Sequence, residues 1–196
     1  MVVEERKEYK LLASEKNVAE FLYKNKNELV TLFPKRTIKS LYFDTLNFEL
    51  YEKSNLNDVE KFKIRVRTYS NNSKFFEEIK SNLFLGKKKK VTELSINDFK
   101  EVSEIYYKGV VYFPAVYTQY ERSYYKFNEA RVTIDEDIKF ISHNFRTKLN
   151  IIKKYYNNVI EYKNLEGFSD VEKYIDKNPI AFSKYNTAIR KVYKFK

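Results

Sequence analysis

Cations recur at every second position in several short segments of this chain. Lys63-Ile64-Arg65-Val66-Arg67 alternates three cations with two β-branched residues, and Arg131-Val132-Thr133-Ile134-Asp135 repeats the pattern with a carboxylate at its end. Glu161-Tyr162-Lys163 and Glu78-Ile79-Lys80 each set an acid and a base two residues apart, and Arg6, Glu8 and Lys10 form a further row. Lys88 and Lys90 alternate in the same way, as do Tyr120 and Arg122. Successive side chains on a strand point to opposite faces, so each row is one-sided if its segment is extended. A single row is also what a half-solvated antiparallel sheet shows. The recurrence of Arg and Lys with sparse acids points further, to a grip on linked phosphates. Arg gives fixed bidentate contacts and Lys gives point charges, and both stabilise the charge that redistributes during phosphoryl transfer. The few carboxylates suit Mg²⁺ or Mn²⁺, hard ions that take oxygen ligands and bridge phosphate oxygens.

Composition removes most other chemistries. The chain has 196 residues, with 38 Lys+Arg against 27 Asp+Glu and a formal net charge of +11. That balance suits a polyanion such as nucleic acid, an anionic membrane or a phosphate chain, or simply a basic surface. Cys is absent, which excludes disulfides, Cys-ligated zinc, Fe–S clusters and thiol catalysis. One His, His143, excludes paired-His metal sites and reads as a loop or surface residue. Three Gly are too few for Rossmann or P-loop phosphate cradles. Aromatic residues make up 17%, which argues against a disordered basic tail. The charged segment Met1–Lys10 is not a signal peptide, and no apolar run approaches the roughly 18 residues of a membrane span, so the expected location is cytoplasmic. Lys87-Lys-Lys-Lys90 alone would be a solvated charge cluster. Tyr106, Tyr107, Tyr112, Phe113, Tyr124 and Tyr125 read as sheet packing, although rings interleaved with Lys and Arg also suit an RNA-binding sheet.

The elements that must position these rows are mostly strands. The expected strands are Glu5–Leu12, Ile38–Asp44, Glu60–Tyr69, Phe75–Asn82, Lys87–Glu93, Ala115–Phe127, Ala130–Asp135 and Val159–Asn164. Hairpin turns are expected at Asn71-Asn72-Ser73 and Phe127-Asn128-Glu129. A helix capped by Ser14 runs to about Leu32, before Pro34. A second, capped by Ser95 or Asn97, carries Phe99, Val102 and Ile105 or Tyr106 on its apolar face. A third lies between Ser169 and Lys177, and a fourth near Tyr185–Val192. No linker divides the chain, so residues 1–196 read as a single α+β domain. The expected architecture is an antiparallel closed β-barrel of about eight strands with peripheral helices. In such a barrel either the charged face lines the lumen or the apolar face fills it.

The same residues resemble a known group. The chain is similar to the polyphosphate polymerase domain of the vacuolar transporter chaperone (VTC) family, within the triphosphate tunnel metalloenzyme (CYTH-like) superfamily, from about Arg6 to Ile189. Arg6-x-Glu8-x-Lys10 resembles the family's opening strand, Leu41-Tyr-Phe-Asp-Thr45 its Y-[YF]-D-T segment, Lys63-x-Arg65-x-Arg67 its basic strand and Glu78-x-Lys80 its E-x-K strand. Tyr120-x-Arg122, Arg131-x-Thr133-x-Asp135, Glu161-x-Lys163 and Ser183-Lys184-Tyr185 follow in the family's order.

The resemblance implies a β-tunnel, a bound Mn²⁺ or Mg²⁺, and transfer of the γ-phosphate of ATP onto inorganic polyphosphate. It implies a catalytic set of Arg65, Arg67, Lys80, Arg122 and Arg131. It implies phosphate contacts from Arg6, Lys10, Lys63, Lys88, Lys90, Tyr120, Lys163 and Lys184, and a metal ligand at Glu161, with Glu8, Glu78 and Asp135 as further candidates. Tunnel hydrolases commonly open with E-x-E-x-K; Arg6 at the first position exchanges a metal ligand for a phosphate ligand and favours a transferase. Two other readings stand beside it: a tunnel tripolyphosphatase or nucleoside triphosphatase, and a non-catalytic binder of polyphosphate or RNA.

Overall fold

The computed structural model describes residues 7–56, 60–83, 86–128, 130–143, 151–164 and 179–194. The chain order is β1 (Lys7–Ala13), α1 (Glu15–Lys24), β2 (Leu29–Asp44), α2 (Glu49–Ser54), β3 (Lys61–Tyr69), β4 (Phe75–Leu83) and β5 (Gly86–Leu94). A 3-10 turn at Phe99–Glu101 follows, then β6 (Ile105–Tyr107), β7 (Val110–Phe127), β8 (Ala130–Ser142), β9 (Ile152–Tyr155), β10 (Asn158–Asn164) and a helix at Lys184–Tyr193, here α3. Backbone hydrogen bonds order the strands β1-β10-β8-β7-β2-β3-β4-β5, with β6 on β7 and β9 on β8. The pairs β1–β10, β10–β8, β2–β3, β3–β4, β4–β5 and β6–β7 are antiparallel.

The expected α+β class and antiparallel sheet are present. The expected closed barrel is not seen: among the described residues the order ends at β1 and at β5. Lys88, Lys89 and Lys90 are exposed on β5, and a lysine-rich edge resists pairing with a further strand.

The chain divides into two compact units. The first comprises residues 1–36, 120–138 and 154–182, and the second 37–119, 139–153 and 183–196. In the first, Leu11, Ala13, Val132, Ile134, Ile160 and Tyr162 face one way from β1, β8 and β10 and pack with Val18 and Phe21 of α1. In the second, Leu41, Phe43, Ile64, Val66, Phe75 and Ile79 form the apolar face with Leu50, Ile105 and Tyr112. The strict alternation in each strand leaves the charged rows on the opposite face.

Several boundaries differ from the sequence expectation. Helix α1 stops at Lys24, not Leu32: the Asn25 side chain donates to Phe21 O at 2.8 Å, and the Leu29 amide turns back to Asn25 O. Val30–Lys35 then run as exposed strand, where Pro34 loses little by lacking an N–H. The second helix shrinks to one 3-10 turn, capped by Asp98 through a box with Glu101. Ile105–Tyr107 is instead a strand that turns through Lys108 (φ 51°) and Gly109 (φ 79°) into β7, a two-residue hairpin whose left-handed positions suit Gly. The helix expected between Ser169 and Lys177 lies outside the described residues. Helix α2 was not expected. Its N-cap, Phe48, has no side-chain cap bond, and the Asp44 carboxylate takes over, accepting from the amides of Leu50 (2.8 Å) and Tyr51 (3.0 Å).

Candidate functional site

In the second unit, β3 supplies Lys63, Arg65 and Arg67 from one face. Their register partners are Tyr42 and Ser40 on β2, and Glu78 and Lys80 on β4. The Arg65 Nε donates to Glu78 Oε2 at 2.8 Å, and Arg65 Nη1 donates to the Tyr42 hydroxyl at 2.9 Å. Arg67 donates to Ser40 Oγ at 2.9 Å and lies 3.8 Å from Glu78. Lys63 donates to Ser183 Oγ at 2.9 Å, at the start of α3, and Lys184 is the first residue of that helix. Glu78 is therefore held by Arg65, Arg67 and Lys89, the last at 2.7 Å. Burial pushes its carboxyl up, but these cations outweigh burial and bring it down to about 2. The same balance acts on Tyr42: burial raises the phenol, while Arg65 and Arg67 lower it to about 7.

In the first unit, β1, β10, β8 and β7 bring together Glu8, Lys10, Glu161, Lys163, Asp135 and Arg122. Lys163 Nζ lies 2.9 Å from both Glu8 and Glu161, and Lys10 lies 2.7 Å from Glu8. Arg122 donates to Asp135 Oδ2 at 2.7 Å and stands 4.0 Å from Glu161. Its guanidinium sits 5.3 Å from the centre of the Tyr120 ring. Burial opposes the charge of Glu161, yet Arg122, Lys163 and Lys10 hold its carboxyl far below the usual range. Burial also opposes the charge of Lys163; its two carboxylate partners raise it nevertheless.

The decisive property is burial of the charged face. Arg65 is 9% exposed, Arg67 6%, Glu78 2%, Glu161 8% and Asp135 0%. A half-solvated sheet would leave these side chains in water. Buried charges persist only when paired, and here one carboxylate serves several cations. A phosphate chain can exchange for such internal carboxylates, because it brings the same charge and acceptor geometry.

Not every expected residue joins these clusters. Arg131 lies opposite Lys163 in register and is exposed. Lys80 is exposed, opposite Lys63 and Lys89. Lys88 and Lys90 pair in register with Ser81 and Ile79, and so face away from Glu78. The strand position on the Glu78 side belongs to Lys89, which the sequence expectation missed. Four consecutive lysines hide the parity of β5, and only its register with β4 reveals it. Arg6 lies outside the described residues. Tyr42 and Asp44 were also missed as individual contributors, although both fall within Leu41-Tyr-Phe-Asp-Thr45.

Among the described residues no group of three His, Asp or Glu side chains is placed to hold a metal ion. Glu8 and Glu161 are nonetheless close enough to share Lys163; burial and Glu161 push the Glu8 carboxyl up, and Lys10 and Lys163 outweigh them and hold it below its usual value. One or two carboxylates with phosphate oxygens are the usual surroundings of Mg²⁺. The pair therefore fits a divalent ion that arrives with its phosphate ligand. No described helix is long and apolar enough to cross a membrane.

A family model described as the VTC domain matches residues 5–193. No curated protein matches the sequence. Solved structures share the fold, among them the following three. A candidate adenylate cyclase from Bacillus halodurans is 13% identical, with a TM-score of 0.63 over 95% of this chain and 96% of that one. The PH1819 protein from Pyrococcus horikoshii OT3 is 11% identical, with a TM-score of 0.54 over 94% and 99%. HpAC1 from Hippeastrum, a candidate adenylyl cyclase with a dominant triphosphatase activity, is 14% identical, with a TM-score of 0.52 over 95% of each chain.

Proposed function

The chain belongs to the VTC domain family, and from that premise we propose that it is a metal-dependent polyphosphate polymerase of the CYTH-like triphosphate tunnel type. In this reading residues 1–196 act as one domain. The observation that carries the reading is the burial of Arg65 and Arg67, and the near-burial of Arg122, beside internal carboxylates, where a surface sheet would leave them wet.

Phosphate contacts come from Lys10, Lys63, Lys163, Lys184 and Tyr120, with Arg6 at the start of the chain. Arg65, Arg67 and Arg122 are oriented by Glu78, Ser40 and Asp135, so they reach the γ-phosphate with little reorganisation. Lys80 and Arg131 supply further charge from exposed positions on the same faces. Glu161, with Glu8, would hold Mg²⁺ or Mn²⁺. The ion, when bound, neutralises charge between phosphate oxygens.

The attacking atom is a terminal oxygen of the polyphosphate chain, ionised at neutral pH. It forms a bond to the γ-phosphorus as the bond from that phosphorus to the β–γ bridging oxygen breaks, and ADP leaves with the electron pair. No proton has to be removed, which fits a site built without His or Cys. The triphosphatase activity of HpAC1 motivates the second reading, a tunnel hydrolase that uses water in place of the phosphate oxygen. Incubation with ATP and Mn²⁺ separates the two: ADP with long phosphate chains supports the polymerase, and ADP with orthophosphate and no chains rejects it. A protein that binds polyphosphate or RNA without turnover rejects both.

A further inference from the structure

The register that sets Lys89 beside Glu78 turns Lys88 and Lys90 to the other face of β5. There they border a cleft of about 360 Å³, shared with Glu60, Ile79, Ser81, Tyr107, Lys108 and also Lys89, whose ammonium pairs with Glu78. Its floor is firm, because Ile79 belongs to the core of the second unit. One wall is fixed by the Lys108-Gly109 turn. Lys108 lies 5.9 Å from the ring centres of both Phe62 and Tyr107 and bonds Glu60 at 2.5 Å. Glu60 is the one acid lining the cleft, and Lys108 occupies it. Lys88 and Lys90 have no acid partner among the described residues. They stand two strand positions apart, about 7 Å along β5, and are exposed. Two like charges held that close over an apolar floor make a local positive field that attracts counter-anions.

We infer that this cleft is a second phosphate-chain site, on the face of β4 and β5 opposite Arg65 and Glu78. Its donors select the ligand. Lysine ammonium groups and the Ser81 hydroxyl meet repeated phosphates at no fixed angle. The Tyr107 ring packs edge-on with Phe62 at 5.5 Å and is approached by Lys108, which leaves no free platform for a nucleobase. The ligand is thus inorganic polyphosphate rather than RNA, and this choice rests on the function proposed above. Tripolyphosphate held by Arg65 does not extend to this face. A long chain does, by rounding β5 at the end of the strand order, and its second contact then forms at high effective concentration.

The test compares the wild-type chain with the Lys88→Ala/Lys90→Ala double variant. Each is titrated with tripolyphosphate and with long-chain polyphosphate at several salt concentrations. The expected result is unchanged tripolyphosphate binding and about tenfold weaker long-chain binding, with a salt slope lower by about two, one for each lysine. Equal long-chain affinity in both proteins overturns the inference. So does an RNA oligomer that binds more tightly than polyphosphate and depends on the same two lysines. If the wild type fails to bind tripolyphosphate, the function proposed for the Arg65 face falls, while the lysine dependence of long-chain binding still judges the cleft. A Lys88→Gln/Lys90→Gln variant, matched to wild type by thermal melting, repeats the comparison with side-chain length and hydrogen bonding largely retained.

Discussion

Tyr185 donates its phenolic hydrogen to the Asp44 carboxylate, across 141 residues of sequence. The acid of Leu41-Tyr-Phe-Asp-Thr45 and the tyrosine of Ser183-Lys184-Tyr185 are therefore two halves of one buried bond. Asp44 also accepts from the amides of Thr45, Leu50 and Tyr51, so a single carboxylate starts α2 and secures α3. Burial pushes both the Asp44 carboxyl and the Tyr185 phenol up from their usual values. Tyr185 also stacks on Tyr42, with ring centres 5.2 Å apart, and Tyr42 in turn accepts from Arg65. The second unit thus links a folding device to the buried Arg65 through two rings.

Tyr185→Phe keeps the ring and removes the bond. The expected cost is about 1–2 kcal/mol, the usual price of leaving a buried acceptor short of a donor. Asp44→Ala strips three amides and a hydroxyl of their acceptor at once and is expected to cost more than about 3 kcal/mol. Urea denaturation measures both. A Tyr185→Phe protein as stable as wild type, within about 0.3 kcal/mol, shows that the bond has no structural weight.

Arg65→Ala and Arg122→Ala address the two clusters separately. Each removes a buried, charge-assisted donor, so tripolyphosphate binding is expected to weaken by about 100-fold and turnover to vanish while the fold persists. Calorimetry also reads stoichiometry. Unchanged affinity and stoichiometry for tripolyphosphate in one variant removes that variant's cluster from phosphate binding. Near-normal activity in both variants rejects the tunnel assignment.

Much of this arrangement is legible in the sequence because strands alternate with a period of two. Ile64 and Val66 fall in the core, and Arg65 and Arg67 fall opposite them, as the pattern alone predicts. Periodicity says nothing, however, about which face is dry. That follows from pairings such as Glu78 with Arg65 and Glu8 with Lys163, which join separate strands. Local reading fails where tertiary context overrides propensity. Ile105–Tyr107 carries a helix-like apolar spacing with Phe99 and Val102, yet it pairs with Val110–Tyr112 as a hairpin. Phe48, at a φ of 59°, gives no cap signal, because the acceptor comes from Asp44 in the preceding strand.

Glu161→Gln tests the metal role. Glu161 and Glu8 share one ammonium, and the amide keeps the shape of the side chain but loses its charge. The expected result is a flattened dependence of activity on Mn²⁺, together with weaker Mn²⁺ binding in the presence of a non-hydrolysable triphosphate. An unchanged Mn²⁺ titration assigns the ion to other residues.

Tyr42 predicts a pH dependence with a definite sign. Its phenol is brought down to about 7 by Arg65 and Arg67 against the opposing effect of burial. Because the folded value lies below the unfolded one, ionisation of Tyr42 contributes stability that is full above pH ~10 and is lost as pH falls through about 7. Phosphate binding runs the other way. Above pH ~7 the phenolate competes with the incoming anion for Arg65, so tripolyphosphate affinity is expected to fall, by at most about tenfold per pH unit. Below pH ~7 the neutral phenol leaves Arg65 to the phosphate. Binding should itself raise the phenol's pKa, which the ultraviolet absorbance of tyrosinate reads directly. Tyr42→Phe separates this effect from the titration of the phosphate: the variant should lose the absorbance step near neutrality and bind with a shallower slope against pH. An identical slope in both proteins, or a wild-type tyrosinate signal confined to strongly alkaline pH, would show that Tyr42 stays neutral beside Arg65 and has no part in anion binding.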